Sequence, residues 1–201
     1  MPEPDWDSVK AYALARLARD LPPELRYHSI RHTCADVLPA IERLAALAGV
    51  DGGALLLLRT AVLYHDMGYI EQYAENESIG VRIAWETLPD FGYSPEQIET
   101  IAGMIMATQM PQAPQNFLEA LVCDADLDSL GREDYLDTSH DLYAELVAYG
   151  ASITLEAWYR RQLDFLSDHS YFTEVARDLR EAGKQRNIQL LEKLLQSKES
   201  H

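Results

Sequence analysis

The chain lacks the features that mark several classes of protein. It has only two cysteines in 201 residues, Cys34 and Cys123, which are too few for a disulfide framework and lack the paired spacing of a structural zinc site. No apolar run approaches the ~20 residues that span a bilayer, and the acidic N-terminus is unlike a signal peptide. We therefore expect a cytoplasmic protein without a membrane partner.

Basic residues are also scarce. The chain has 17 lysines and arginines against 33 acidic residues, and its formal net charge is −16. Such a charge repels polyphosphate backbones, which argues against long nucleic acid as a partner. A glycine-rich phosphate loop is absent as well. A small phosphorylated partner stays compatible with the sequence, because a bound divalent ion reverses the local field that such a ligand meets.

Strand-like alternation is almost absent, whereas helical periodicity runs through nearly the whole chain. A first helix is predicted to begin after Asp7 or Ser8 and to stop at Pro22. Pro39 is predicted to kink the second helix, and Ser94, Pro95 and Gln97 form a predicted capping box. The remaining helices are predicted over 29–48, 54–64, 78–88, 95–108, 117–122, 135–149, 155–166 and 173–195. The sequence therefore predicts one all-α domain, as a monomer or a homodimer.

Two groups of histidines could supply metal ligands. His65 and Asp66 follow an apolar run, and adjacent helical residues point about 100° apart, so the two can share one ion best at a helix end, where Gly68 is predicted to break the helix. His28 and His32 are four residues apart, which on a helix places them on one face. Taken alone, a His-Asp pair is in most proteins a solvated surface pair, and His28 and His32 are as compatible with ordinary polar residues at the start of a helix as with ligands.

Two acidic residues follow a later apolar run. Asp124 and Asp126 come directly after the segment 117–122, and a carboxylate near a core is costly unless it is paired or bound to a cation. Capping of a helix or a turn is the alternative for both. The second His-Asp pair, His140 and Asp141, has no other histidine at ligand spacing, so we expect it on the surface.

These elements occur in one order along the chain: Tyr-His-Ser-Ile-Arg-His-Thr at 27–33, His-Asp at 65–66 and Cys-Asp-Ala-Asp-Leu at 123–127. The order resembles the HD-domain superfamily of metal-dependent phosphohydrolases. Segments 88–94, 124–131 and 169–173 look like a compact bacterial branch of predicted phosphohydrolases. The resemblance implies a single HD-type helical domain over 1–201, with a metal-binding core over about 24–150 and C-terminal helices over 151–197 that pack on it.

The resemblance also implies roles for individual residues. The metal ligands would be His32, His65, Asp66 and Asp126, with Asp126 favoured over Asp124. His28 matches an extra histidine that donates a proton to the leaving oxygen in the cyclic-nucleotide phosphodiesterases of the superfamily. Two imidazoles and two carboxylates suit one divalent ion, which could be Mn²⁺, Fe²⁺, Co²⁺, Ni²⁺, Zn²⁺ or Mg²⁺. Such an ion activates water, and Asp66 could also orient that water.

One departure from the family pattern bears on the number of ions. Asn76 stands where this branch has the histidine of a His-Glu pair, and no histidine occurs from residue 67 to residue 139. Asparagine is a poorer ligand than imidazole for such metals. The sequence therefore favours one metal ion, with Glu77 as a residue that could hold a water or a ligand beside it.

The substrate stays open between a nucleotide, a cyclic nucleotide and a simple phosphomonoester. A phosphate would benefit from a cation near the metal, and the candidates are Arg31, Arg132, Lys184 and Arg186. The predicted function is hydrolysis of a phosphomonoester or phosphodiester bond in a small phosphorylated metabolite or nucleotide. The alternative is a non-catalytic HD domain that senses a metal or a nucleotide.

Overall fold

Residues 4–199 are described in the computed structural model, so the ends of the predicted domain, residues 1–3 and 200–201, lie outside the described part. Every regular element within 4–199 is helical, which confirms the all-α prediction. The α-helices are α1 (Trp6–Asp20), α2 (Leu38–Leu47), α3 (Gly52–Tyr64), α4 (Asn76–Thr87), α5 (Pro95–Ala107), α6 (Phe117–Asp126), α7 (Tyr135–Ala148), α8 (Leu155–Asp168) and α9 (Glu174–Glu199). Short 3-10 turns cover Met67–Ile70, Leu88–Phe91 and Asp128–Gly131, and a π-helical turn covers His32–Val37.

Polar caps set the first residues of two helices. The predicted capping box is present, because Ser94 Oγ accepts from Gln97 N at 3.3 Å and Gln97 Oε1 accepts from Ser94 N at 2.9 Å. Helix α1 begins at Trp6, earlier than predicted, since the carboxylate of Asp5 accepts from Ser8 N at 3.1 Å. That bond satisfies one of the amide groups left free in the first turn.

The second predicted helix contains a wide turn in place of a simple kink. The chain is helical from Ile30 to Leu47, but His32–Val37 is π-helical and leads directly into α2, where Pro39 lies in the first turn. Proline has no N–H and its ring clashes with the carbonyl four residues earlier. A π turn before the proline accommodates that clash, and it places His32 at its first residue.

Helix α3 forms the centre of the molecule. Leu58 and the residues from Thr60 to Tyr64 are completely buried, and α3 packs against α1, α2, α5 and α6. A helix that is apolar on all sides is stable only when other elements surround it. The C-terminal end of α3 therefore delivers the next two residues, His65 and Asp66, into the interior.

Gly68 has a different role from the predicted helix break. It does not have a positive φ, and a Cβ atom at this position would lie 1.9 Å from the carbonyl oxygen of Asn76. Any side chain would therefore separate the 3-10 turn from the start of α4. Gly68 therefore allows the 3-10 turn to pack closely on α4 and is not the residue at which α3 ends, which corrects the prediction.

The C-terminal helices cover the turn that follows α6. Helix α9 packs on Asp128–Gly131 and on α8, and a Cβ atom on Gly183 would lie 1.9 Å from the carbonyl oxygen of Gly131. Asp128 accepts hydrogen bonds from Arg43 on α2 and from Arg180 on α9, which joins the two layers. None of the helices within residues 4–199 combines the length and the apolarity that crossing a bilayer requires.

Candidate metal centre

Three predicted ligands converge in the interior. His32 comes from the π turn, His65 follows the last residue of α3, and Asp66 precedes the 3-10 turn at Met67. One potential ligand atom from each lies within 4.8 Å of the others. The three residues are only 4%, 2% and 6% exposed, so water does not solvate them freely.

The hydrogen bonding of His65 leaves one ring nitrogen free. Its Nδ1 lies 2.7 Å from the carbonyl oxygen of Val62, and a carbonyl can only accept, so Nδ1 carries the proton and donates it. Nε2 is then left with a lone pair. This atom is buried without a hydrogen-bond partner, and so is Oδ2 of Asp66, 3.2 Å away. Unpartnered polar atoms in a core are costly, and a shared cation would satisfy both.

Asp126 joins this group, whereas Asp124 does not. Oδ1 of Asp126 lies 3.2 Å from Nε2 of His32 and 3.5 Å from Nε2 of His65. Asp124 accepts instead from the backbone N of Phe172 and of Thr173, each at 2.8 Å. Two positions along a helix rotate a side chain by about 200°, so the two carboxylates leave α6 on opposite sides. Asp124 holds the start of α9, which corrects its place among the residues around the metal.

The charges of the group favour a cation. Burial alone would raise the pKa of both Asp66 and Asp126, but the neighbouring imidazoles outweigh it and hold both pKa values below the ordinary range. Burial would lower the pKa of His65, yet the two carboxylates raise it well above its ordinary value. The field that attracts a proton to His65 is the same field that would attract a metal ion.

A third histidine at the site, His28, depends on a residue that the sequence did not indicate. Nδ1 of His28 lies 2.5 Å from Oε1 of Glu145, which is completely buried. Oε2 of Glu145 accepts from the backbone N of Tyr27 and of His28, each at 3.0 Å, and the hydroxyl of Tyr73 donates to Oε1. Burial would lower the pKa of His28, but Glu145 and the site carboxylates raise it. Glu145 lies in the last turn of α7 without any motif around it, so no sequence signal marks it.

The metal group borders a cavity of about 520 Å³. His28, His65, Asp66 and Asp126 line one part of it, and tyrosines from the Met67–Ile70 region and aromatic side chains from α8 line the rest. Glu77 also faces this cavity; burial and then the charges of Asp66 and Asp126 raise the pKa of its carboxyl. Asn76 is buried beside it, with its side-chain amide 3.1 Å from a carboxylate oxygen of Glu77. The proposed role of Glu77 beside the metal stays a prediction.

The four predicted phosphate-binding cations do not line this cavity. Arg31 is exposed, 3.6 Å from Asp141. Arg132 contacts the carboxylates of Asp36 and Asp134.

The other two cations lie on α9. Lys184 is buried and donates to the carbonyl of His169, and Arg186 is exposed beside a different cleft. Arg31 and Arg132 were candidates because they flank signature motifs, and Lys184 and Arg186 because they lie on the final helix; none of the four lines the cavity, which corrects the prediction. The cation that does line the cavity is Arg161 on α8.

These observations define an all-α protein with a buried His/Asp group beside a cavity. No protein-family model and no curated protein matches the chain. Two solved structures share its fold: the crystal structure of Bacillus subtilis YpgQ in complex with ADP, and the crystal structure of Bacillus subtilis YpgQ. Each has a TM-score of 0.67 and 18% sequence identity, over 96% of this chain and 94% of that chain. This likeness shows a common fold.

Proposed function

We propose that the chain is an HD-type metal-dependent phosphohydrolase whose substrate is a small phosphorylated compound such as a nucleotide. One observation carries the proposal: Nε2 of His65 and Oδ2 of Asp66 are buried without hydrogen-bond partners. Nε2 of His32 and Oδ1 of Asp126 lie close to them. A mixed shell of imidazole nitrogen and carboxylate oxygen fits one divalent ion such as Mn²⁺, Fe²⁺, Co²⁺, Ni²⁺, Zn²⁺ or Mg²⁺.

In this proposal, Asp66 and His28 have separate roles in hydrolysis. A divalent ion in this shell supplies Lewis acidity and a lowered pKa for water. Asp66 has two carboxylate oxygens, so one can bind the ion while the other accepts from a water and orients it. The Nδ1–H of His28 donates a hydrogen bond to the carboxylate of Glu145. The proton on Nε2 of the protonated ring is then available for the leaving oxygen.

A nucleotide is the ligand class that we favour. The neighbour YpgQ, whose fold this chain shares, was crystallised in complex with ADP. The cavity of about 520 Å³ falls within the range of roughly 300–1,000 Å³ that is usual for small-molecule sites. Its aromatic side chains offer surfaces on which a base can stack.

A screen of the metal-loaded protein against nucleotides, cyclic nucleotides and phosphate esters tests the proposal. We expect hydrolysis of at least one compound in Mn²⁺-loaded wild-type protein, and loss of both turnover and metal in His65→Ala. His140→Ala is the matched control, because it changes the histidine of the other His-Asp pair, whose ring contacts the Tyr159 hydroxyl. Its activity should stay at the wild-type level.

Two results would overturn the proposal in different ways. Binding of metal and nucleotide without turnover of any compound would favour the non-catalytic sensor. Absence of bound metal after reconstitution would exclude the phosphohydrolase and a sensor of metal, because both depend on the His/Asp group.

A further inference from the structure

One face of α8, which together with α9 forms the C-terminal layer of the molecule, borders the cavity. Trp158, Arg161, Gln162 and Phe165 all line it. Their spacing of three, four and seven residues places them on a single helical face. Helix α8 packs against α7 and α9, so this wall belongs to a different layer from α3 and α6, which carry His65 and Asp126 to the metal group.

Arg161 is an exposed residue at the edge of this wall, and its guanidinium lies beside an aromatic ring and not beside an acid. Its guanidinium lies 6.0 Å from the centre of the Trp158 ring, a distance at which a cation is attracted to the ring face. Trp158 is 1% exposed and donates from Nε1 to Ser139 Oγ at 3.0 Å, so the ring is fixed. Among the side chains described over residues 4–197, no carboxylate forms an ion pair or a hydrogen bond with Arg161.

The neighbouring residue shows the contrast. Arg160 forms an ion pair at 3.0 Å with Glu156, one turn earlier on the exposed face of α8. In a chain with 33 acidic residues and a net charge of −16, carboxylates are available to most cations. The five N–H donors of the Arg161 guanidinium are therefore not occupied by any described carboxylate.

The charge of the cavity makes this donor set significant. Asp66, Glu75, Glu77 and Asp126 line it, and Arg161 is the one lysine or arginine among the described residues that do so. An anionic ligand would be repelled by four carboxylates unless cations offset them. A metal ion would offset those around His65, and Arg161 adds a permanent positive charge on another wall of the cavity.

We propose that Arg161 binds a phosphate oxygen of the ligand and thereby selects phosphorylated compounds over neutral ones of the same shape. The planar guanidinium can donate two parallel hydrogen bonds to a phosphate, which a lysine cannot. The ligand class rests on the proposed function, but the role of Arg161 is one of binding and does not require turnover.

The affinities of ADP and adenosine for Arg161→Gln test the proposal. Isothermal titration is carried out with Mn²⁺ and again with EDTA, which prevents metal-dependent hydrolysis during the measurement. Loss of charge-assisted hydrogen bonds should weaken ADP binding about 10- to 100-fold, while adenosine binding changes less than about twofold. Arg161→Lys should recover part of the loss, since it restores the charge without the fork. Arg160→Gln is the matched control and should bind ADP as the wild type does.

The outcomes separate this inference from the proposed function. ADP binding that depends on Arg161 in a protein without turnover would support the inference and contradict the phosphohydrolase. Turnover combined with equal ADP affinity in wild type and Arg161→Gln would support the phosphohydrolase and contradict the role of Arg161. Equal weakening of ADP and adenosine, or no ADP binding by the wild type, would overturn the role of Arg161 in recognising phosphate.

Discussion

At the scale of single residues, His28 takes its orientation from Glu145, which is 117 positions away along the chain. The carboxylate holds the backbone and the ring of His28 at once, and Tyr73 completes its hydrogen bonds. Burial would raise the pKa of Glu145, but the bond to His28 outweighs it and lowers the pKa. Glu145 is therefore charged, and its charge supports a protonated imidazole.

Glu145→Gln should separate catalysis from metal binding. The amide keeps the shape but removes the charge that favours the protonated ring, so we expect kcat to fall roughly 10- to 100-fold while the metal content stays at the wild-type level. Steady-state kinetics and elemental analysis on the same preparation provide both values.

The control for Glu145→Gln is Glu156→Gln, which removes an exposed acid of α8. An unchanged kcat in Glu145→Gln would contradict the role of this residue, and so would a loss of metal.

At this scale the sequence was informative only where residue types recur in a known order. His32, His65, Asp66 and Asp126 could be singled out because they match a pattern, and the structure brings all four together. Glu145 contacts residues far away along the chain, and Arg161 reaches the cavity only through the docking of α8, so no local sequence pattern marks either residue. The predicted cations were wrong because neither a place beside a motif, as for Arg31 and Arg132, nor a place on the last helix, as for Lys184 and Arg186, determines which side chains line the cavity.

At the scale of secondary structure elements, the π turn at His32–Val37 links the metal group to the start of α2. The helical periodicity predicted this segment as a helix, because the side-chain pattern of a π turn differs little from that of an α-helix over six residues. Pro39 was expected to disturb it. Whether the proline causes a kink or a π turn depends on the residues that pack around the segment, and the sequence does not show these contacts.

Pro39→Ala should reduce metal affinity without reducing helix content. Alanine restores the N–H that Pro39 lacks, so the segment can adopt a continuous α-helix. Each residue of an α-helix turns about 100°. Conversion of the wide π turn to an α-helical turn would therefore rotate His32 away from His65. We expect Mn²⁺ to bind about 10-fold more weakly, with unchanged far-ultraviolet circular dichroism.

Pro89→Ala is the matched control for this variant, because Pro89 lies in the short turn Leu88–Phe91 and outside the cavity lining. If Pro39→Ala binds Mn²⁺ as tightly as Pro89→Ala, the π turn does not position His32.

His169, at the C-terminal end of α8, makes the junction with α9 sensitive to acid. Both ring nitrogens are buried without hydrogen-bond partners, and burial and the charge of Lys184 lower the pKa of the ring to about 4. The unfolded chain binds a proton near pH 6.5. Stability from the neutral ring is therefore complete above about pH 6.5 and is lost as the pH falls toward 4.

His169→Gln should flatten this part of the pH dependence. The free energy of unfolding, measured by urea denaturation between pH 4.5 and 7.5, should fall less steeply with acid in the variant than in the wild type. The metal-site groups titrate in both proteins, so the difference between the two slopes isolates His169. Equal slopes would contradict a neutral, buried ring at this position.

At the scale of the whole molecule, the metal group exists only because three distant parts of the chain meet. His32 comes from the segment before α2, His65 and Asp66 follow the central helix α3, and Asp126 ends α6. The all-helical class could be predicted because periodicity is a local property. The cavity could not, since it lies between the metal-bearing helices and a C-terminal layer whose docking depends on contacts such as that between Gly131 and Gly183.

Titration of the metal-free protein with Mn²⁺ measures whether the His/Asp group binds a metal ion. We expect one ion bound per chain and a dissociation constant that rises at least ~10-fold in His65→Ala, whereas His140→Ala binds as the wild type does. Binding of no ion by the wild type, or equal affinity in His65→Ala and His140→Ala, would contradict a metal centre built from His32, His65, Asp66 and Asp126.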